Sequence, residues 1–245
     1  MIFFFIVSIL LIFIGLLMYL IICNKTKSLE QFNKQKKINF LHIPKNAGSS
    51  IMALYKNEIN LLKHCKSFPQ KDSINLAIIR HPETRIQSIF AHIKDRDNKK
   101  KSYDLNEFNT LDDLAKAYYN KNHKNHNKAH KLLDWSLEKY KGYNNTEGCS
   151  NNGCPEKKAC LHWCPQHLFV YGHDAKVDYL LKFENLNTDL KKLIDLGVLE
   201  NKELIHKNKS FSKYKELTEL TPICKRLVKD IYRKDFELWE KAGLN

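Results

Sequence analysis

Leu41-His42-Ile43-Pro44-Lys45-Asn46-Ala47-Gly48-Ser49-Ser50 is the stretch whose reading decides the fold. A short apolar run, Ile38 to Leu41, leads into it, and a helical pattern, Ile51-Met52-Ala53-Leu54-Tyr55, leaves it. A strand, a tight turn with one glycine and a helix together point backbone N–H groups at an anion. The first helical turn has donors without acceptors, and the helix dipole favours negative charge there. Lys45 adds a mobile cation, and Ser49 and Ser50 add hydroxyls. About 30 residues on, Ile78-Ile79-Arg80-His81-Pro82-Glu83-Thr84-Arg85-Ile86-Gln87-Ser88 repeats the plan. It is a second strand ending in a cation, followed by a helix that carries Arg85 and Ser88. Two such strand ends imply a ligand with two separated phosphate groups.

The lysine is misplaced for a nucleotide kinase. A Walker loop reads G-x-x-x-x-G-K-[ST], with lysine directly after the second glycine. Here Lys45 precedes the only glycine, Gly48, by three residues. The order P-K-x-x-G-[ST]-[ST] followed by R-x-P-x-x-R-x-x-S resembles the sulfotransferases that use 3′-phosphoadenosine 5′-phosphosulfate (PAPS). Later blocks extend the likeness to the membrane-bound, Golgi-type carbohydrate sulfotransferases. These are Cys160-Leu161-His162-Trp163-Cys164-Pro165-Gln166, Val177-Asp178-Tyr179-Leu180-Leu181-Lys182-Phe183-Glu184-Asn185-Leu186, Lys209-Ser210 with Tyr214, and Ile231-Tyr232-Arg233-Lys234-Asp235-Phe236.

The resemblance implies a P-loop-like three-layer α/β fold with a central parallel sheet, and a division of labour between the motifs. Pro44, Lys45, Asn46, Ala47, Gly48, Ser49 and Ser50 would hold the 5′-phosphosulfate. Arg80 and Ser88 would hold the 3′-phosphate, with Lys209 and Ser210 on a late loop closing over the nucleotide. Sulfuryl transfer must neutralise charge building on the leaving phosphate and take a proton from an alcohol. Lys45 suits the first task. His64, between the two motifs, is the expected base, with His162 the second candidate; histidine titrates near working pH. Arg85 either assists at the nucleotide or pairs with Glu83 or another surface carboxylate. No metal is required, because lysine and arginine take the charge. His42 reads as a packing residue.

Residues Ile2 to Ile22 carry no charge, and 21 residues at 1.5 Å rise reach roughly 30 Å, the thickness of the hydrocarbon core. The absence of a charged start and of a small-residue cleavage site argues for a retained anchor rather than a signal peptide. The expected plan is an anchor over 1–23, a polar stem over 24–37 and a catalytic domain over 38–245. Lys25, Lys27, Lys34, Lys36 and Lys37 follow the apolar run, which by the positive-inside rule would keep the domain cytosolic. The resemblance implies the Golgi lumen instead and is preferred. The sequons Asn24-Lys25-Thr26, Asn144-Asn145-Thr146 and Asn208-Lys209-Ser210 agree with it.

Seven cysteines include Cys149, Cys154, Cys160 and Cys164 within 16 residues, beside His162. A disulfide-stapled loop is the favoured reading, ahead of free buried thiols and of a zinc site, which lacks the usual C-x2-C pairs. The net charge of +14 calls for an anionic partner. The nucleotide and an acidic or amino-sugar-containing glycan both qualify. Nucleic acid is set aside for want of a binding motif with interleaved aromatics.

Strands are expected over 38–43, 74–80 and 177–183, with an extended piece over 61–68. Helices are expected over 49–60, 82–94, 111–119 and 185–196, and one long helix from Pro222. His123, His126 and His130 read as a solvated loop. Two alternatives stand beside the enzyme: a small-molecule kinase on the same fold, and a basic polyanion-binding module with a non-catalytic nucleotide site.

Overall fold

The computed structural model describes residues 13–23, 37–62, 69–100, 105, 107–140, 161–202 and 214–244, with side chains in the 82–100 helix described as far as Asp95. Four strands, β1 (Lys37–Leu41), β2 (Ile59–Leu62), β3 (Ser73–Ile79) and β4 (Tyr179–Lys182), form one sheet in the order β2-β1-β3-β4. Every pairing is parallel. Parallel strands are buried on both faces and therefore read as nearly continuous apolar runs; β3, Ser-Ile-Asn-Leu-Ala-Ile-Ile, is buried at six of its seven positions, Asn75 among them.

Alternation along the strands sorts the core. Ile38, Phe40, Ile74, Leu76, Ile78 and Leu181 face α2 (Gly48–Tyr55) and α9 (Leu186–Asp195). Leu41, Ala77 and Ile79 face a layer holding α6 (residues 137–140), the 161–163 turn (α7), α8 (His167–Val170) and α11 (Arg233–Lys241). A third apolar cluster joins α3 (Pro82–Lys100), α4 (Leu111–Tyr119), α5 (His126–Leu133) and α10 (Pro222–Ile231) around Trp163. Asn60, Asn39 and Asn75 stand in register across β2, β1 and β3. Asn60 donates to Asn39 Oδ1 at 2.9 Å, and Asn75 Nδ2 donates to Gln70 O at 2.8 Å, so slipping this polar row would bury unpaired amides.

Several element boundaries differ from the sequence expectation. α2 stops at Tyr55 because Glu58 N turns back to Tyr55 O, which frees Ile59 for β2. α3 runs to Lys100. The expected long C-terminal helix is two, broken at Tyr232, where Tyr232 Oη donates to Trp163 O at 2.8 Å and Asp235 turns toward residues 166 and 167.

The histidine-rich stretch is not a solvated loop. His126 and His130 lie on or at the start of α5, where His126 Nδ1 meets Ala117 O at 3.0 Å and His130 Nε2 meets Tyr118 O at 3.1 Å. Both carbonyls belong to the last turn of α4, whose acceptors have no partner within the helix. Cys164 and Cys224 are free, buried thiols, and Cys23 is also free. This corrects the expected disulfide at Cys164, which packs with Leu161, Leu168 and Phe169 and whose pKa burial pushes well up. Cys65, Cys149, Cys154 and Cys160 lie outside the described residues.

Residues 13–23 are helical (α1) with exposed apolar side chains from Phe13 to Ile22. No helix among the described residues is long and apolar enough to cross a membrane; residues 2–12 of the expected anchor lie outside them.

Candidate active site

From β1 the sheet grows to one side with β2 and to the other with β3 and β4. At such a switch in an open parallel sheet, the loops leaving the strand ends diverge and open a crevice at the carboxyl edge. The loops that leave β1 and β3 are residues 42–47 and 80–81, the two stretches singled out in the sequence. They touch directly: Arg80 Nη1 donates to Lys45 O at 3.2 Å.

The first loop is strained, and not at its glycine. Lys45 and Ala47 adopt left-handed backbone angles, φ 70° and 60°. Such angles cost about 1–3 kcal/mol in a non-glycine residue and persist only where neighbours enforce them. Alternation of this kind curves successive N–H groups around a concavity suited to an anion. Ser50 N and Ile51 N both return to Ala47 O, at 2.9 and 3.1 Å. Gly48 and Ser49, at the first two helical positions, have no acceptor within the helix. Gly48 is needed for space: a Cβ there would fall 2.1 Å from His42 Cδ2. His42 thus packs on the loop, as expected, and Gly48 lets it do so.

Asn46 is hydrogen-bonded within the protein through its side chain. Its Nδ2 donates to Ile78 O at 2.7 Å and to Gln166 Oε1 at 2.6 Å, and its backbone N to Ile43 O at 3.4 Å. It braces the loop from below. Ser49 is exposed and Ser50 half-buried on the rim, while Pro44 is buried beneath it.

In the second loop, Arg80 Nε donates to Thr84 Oγ1 at 3.1 Å, and its guanidinium lies 4.4 Å from the Phe183 ring centroid. Burial lowers its pKa to about 10, opposed by nearby Glu184, so it remains a cation at neutral pH. Thr84 and Ser88 are one helical turn apart on the same face of α3, so Arg80, Thr84 and Ser88 form a stripe. Thr84 was not singled out in the sequence, although its i, i+4 spacing to Ser88 was legible there.

Arg85 is buried, which corrects the expected surface pairing with Glu83 or another carboxylate. It is 2% exposed and donates through Nε to Pro44 O at 3.2 Å and through Nη2 to His162 O and Cys164 O, each at 3.0 Å. It is a brace between the first loop and the 161–166 segment. That segment contributes Gln166, fully buried, whose Oε1 accepts from Asn46 and from Arg80 N at 3.0 Å while Nε2 donates to Arg80 O at 2.8 Å. Asp235, also fully buried, receives Gln166 N at 2.7 Å, His167 N at 2.9 Å and His167 Nδ1 at 2.7 Å. Both residues stand inside sequence blocks that give neither a local task, because their partners lie 68 to 120 residues away.

His162 is buried, with its ring 5.3 Å from that of His92 on α3. Its carbonyl is joined to Pro44 through the single guanidinium of Arg85, which keeps this histidine pair close to the first loop. His64, Lys209 and Ser210 lie outside the described residues. The chain re-enters description at Tyr214, whose Oη meets Asp95 Oδ1 at 3.3 Å, and Thr218 O accepts from Gln87 Nε2 at 2.9 Å, so this segment docks along α3 beside Ser88.

The residues present suit an anion at each strand end: a curved run of amides with a lysine at one, and an arginine backed by hydroxyls at the other. A family model described as the sulfotransferase family matches residues 30–242. No curated protein and no solved structure matches the chain. With both strand-end loops and the bracing segment inside a match that covers most of its length, the chain belongs to the sulfotransferase family, and it is a transferase whose chemistry is sulfuryl transfer.

Proposed function

We propose that the chain transfers a sulfuryl group from PAPS to a hydroxyl of a carbohydrate by in-line displacement, on a P-loop-like fold. One observation carries the donor assignment. The Arg80–Lys45 hydrogen bond holds a cationic strand end beside an amide-lined one, an arrangement that accords with a nucleotide carrying phosphate at both its 5′ and 3′ positions. The donor supplies the activated sulfur–oxygen bond. Amides around Gly48 and Ser49, with the Ser49 and Ser50 hydroxyls, orient its 5′ end. The Lys45 ammonium stabilises negative charge as it develops on the leaving oxygen. Arg80, with Ser88 and Thr84 beside it, holds the 3′-phosphate through a charge-assisted contact. A histidine, His64 or His162, takes the proton from the acceptor hydroxyl.

A glycan acceptor, acidic or amino-sugar-containing, accords with the net charge of +14. The apolar run 2–22, helical and exposed where it is described, supports a single-pass anchor, with 24–37 as stem and 38–245 as the domain. A lumenal Golgi location follows from the family resemblance.

Melting of the full-length chain with and without 3′-phosphoadenosine 5′-phosphate (PAP), the desulfated product, tests the donor assignment. At a hundred times its dissociation constant, PAP should stabilise by about 2.7 kcal/mol, or about 5–10 °C for a chain of this size. ATP should give no such shift, and Arg80→Ala should abolish the PAP response. A folded protein indifferent to PAP would overturn the proposal.

A further inference from the structure

We infer that Gln166 is a positioning residue that sets the distance between the two anion-binding strand ends. The inference rests on the PAPS reading above. Its carboxamide is wholly buried, and each of its hydrogen bonds given by the structure goes to one of the two loops. It addresses Arg80 N and Arg80 O together, at 3.0 and 2.8 Å, as a neighbouring strand would, and so extends the ordered end of β3 by one residue. The same Oε1 takes Asn46 Nδ2 at 2.6 Å, from the residue that lies between the two left-handed positions of the first loop. Gln166 is itself held by Asp235 through its backbone N–H at 2.7 Å. One planar amide therefore fixes the first loop relative to the second, and α11 fixes the amide.

A ligand with one phosphate needs only one loop. A ligand with two phosphates gains from both only if their separation is set before it binds, because preorganisation removes an ordering cost that would otherwise reduce affinity. Gln166 should therefore matter to the advantage that two phosphates have over one, and little to the binding of either alone. A carboxamide that merely filled the core would, once lost, lower stability and weaken all these ligands alike.

Calorimetric titration of the full-length chain with PAP, adenosine 5′-phosphate and adenosine 3′-phosphate separates the cases. In Gln166→Met, which keeps the volume and removes the amide, the advantage of PAP over each single-phosphate ligand should fall about tenfold. The two single-phosphate affinities should change by less than about threefold. Gln166→Glu keeps the acceptor oxygen but sets a carboxylate against Arg80 O; it should show the same selective loss and serves if the methionine variant does not fold. A folded variant that keeps the wild-type ratio overturns the positioning role and leaves the PAPS reading standing. A wild-type chain that binds PAP no better than the single-phosphate ligands overturns the PAPS reading, and this inference with it.

Discussion

Replacing Arg85 by methionine is expected to lower the unfolding free energy by about 3–5 kcal/mol, because it removes the shared donor of three buried carbonyls. Methionine retains most of the side-chain stem, so the loss isolates the guanidinium. Three carbonyls, of Pro44, His162 and Cys164, would be left without their donor inside the protein. Each unsatisfied buried group costs about 1–3 kcal/mol. A domain whose whole stability is about 5–15 kcal/mol would be left marginal. Arg85→Lys should recover only part of the loss, because an ammonium cannot span three acceptors with the planar geometry of the fork. Urea unfolding followed by circular dichroism measures the change; a loss below about 1 kcal/mol would show that the brace is dispensable.

Replacing Lys45 by alanine is expected to lower kcat by about 10²–10³-fold, equivalent to about 2.7–4 kcal/mol of lost transition-state stabilisation. The substitution is clean for a structural reason. Alanine keeps a Cβ at a residue with φ 70°, so the backbone strain is unchanged, and the Lys45 carbonyl that receives Arg80 remains in place. KM for the donor should rise far less than kcat falls, because the ammonium acts on charge that develops only as the sulfur–oxygen bond breaks. Steady-state kinetics decide the matter; a kcat within about threefold of wild type would remove Lys45 from the chemistry.

The sheet was legible because its strands announce themselves. Ile38 to Leu41 and Ile74 to Ile79 are apolar runs bounded by turn residues, and the parallel pairing follows from the helices between them. One capping signal was equally direct. Thr221 with Pro222 opens α10, whereas the capping box of Thr110 and Asp113 on α4 emerged only in the fold. The site was legible in part, to the extent that it is local. Lys45, Gly48, Arg80 and Ser88 could be named because each lies in the loop or helix that directly follows a strand end. Gln166, Asp235 and the true task of Arg85 were hidden, since nothing in a sequence couples positions 46, 80, 166 and 235 until the chain folds. The two-helix C-terminus was hidden for the same reason: Tyr232 and Asp235 break the helix to reach Trp163, Gln166 and His167. The task of the Asn46 side chain was hidden likewise, since the partners of its Nδ2, Ile78 O and Gln166 Oε1, lie 32 and 120 residues away.

The most direct measurement incubates the full-length chain with sulfur-labelled PAPS and a panel of acidic and amino-sugar-containing glycans, following label in the glycan and release of PAP together. The expected result is label in at least one glycan with one PAP formed per sulfate transferred, lost in Lys45→Ala and in Arg80→Ala. PAPS that binds but delivers its label to no carbohydrate, or to an acceptor of another class, would contradict the assignment of this chain as a carbohydrate sulfotransferase.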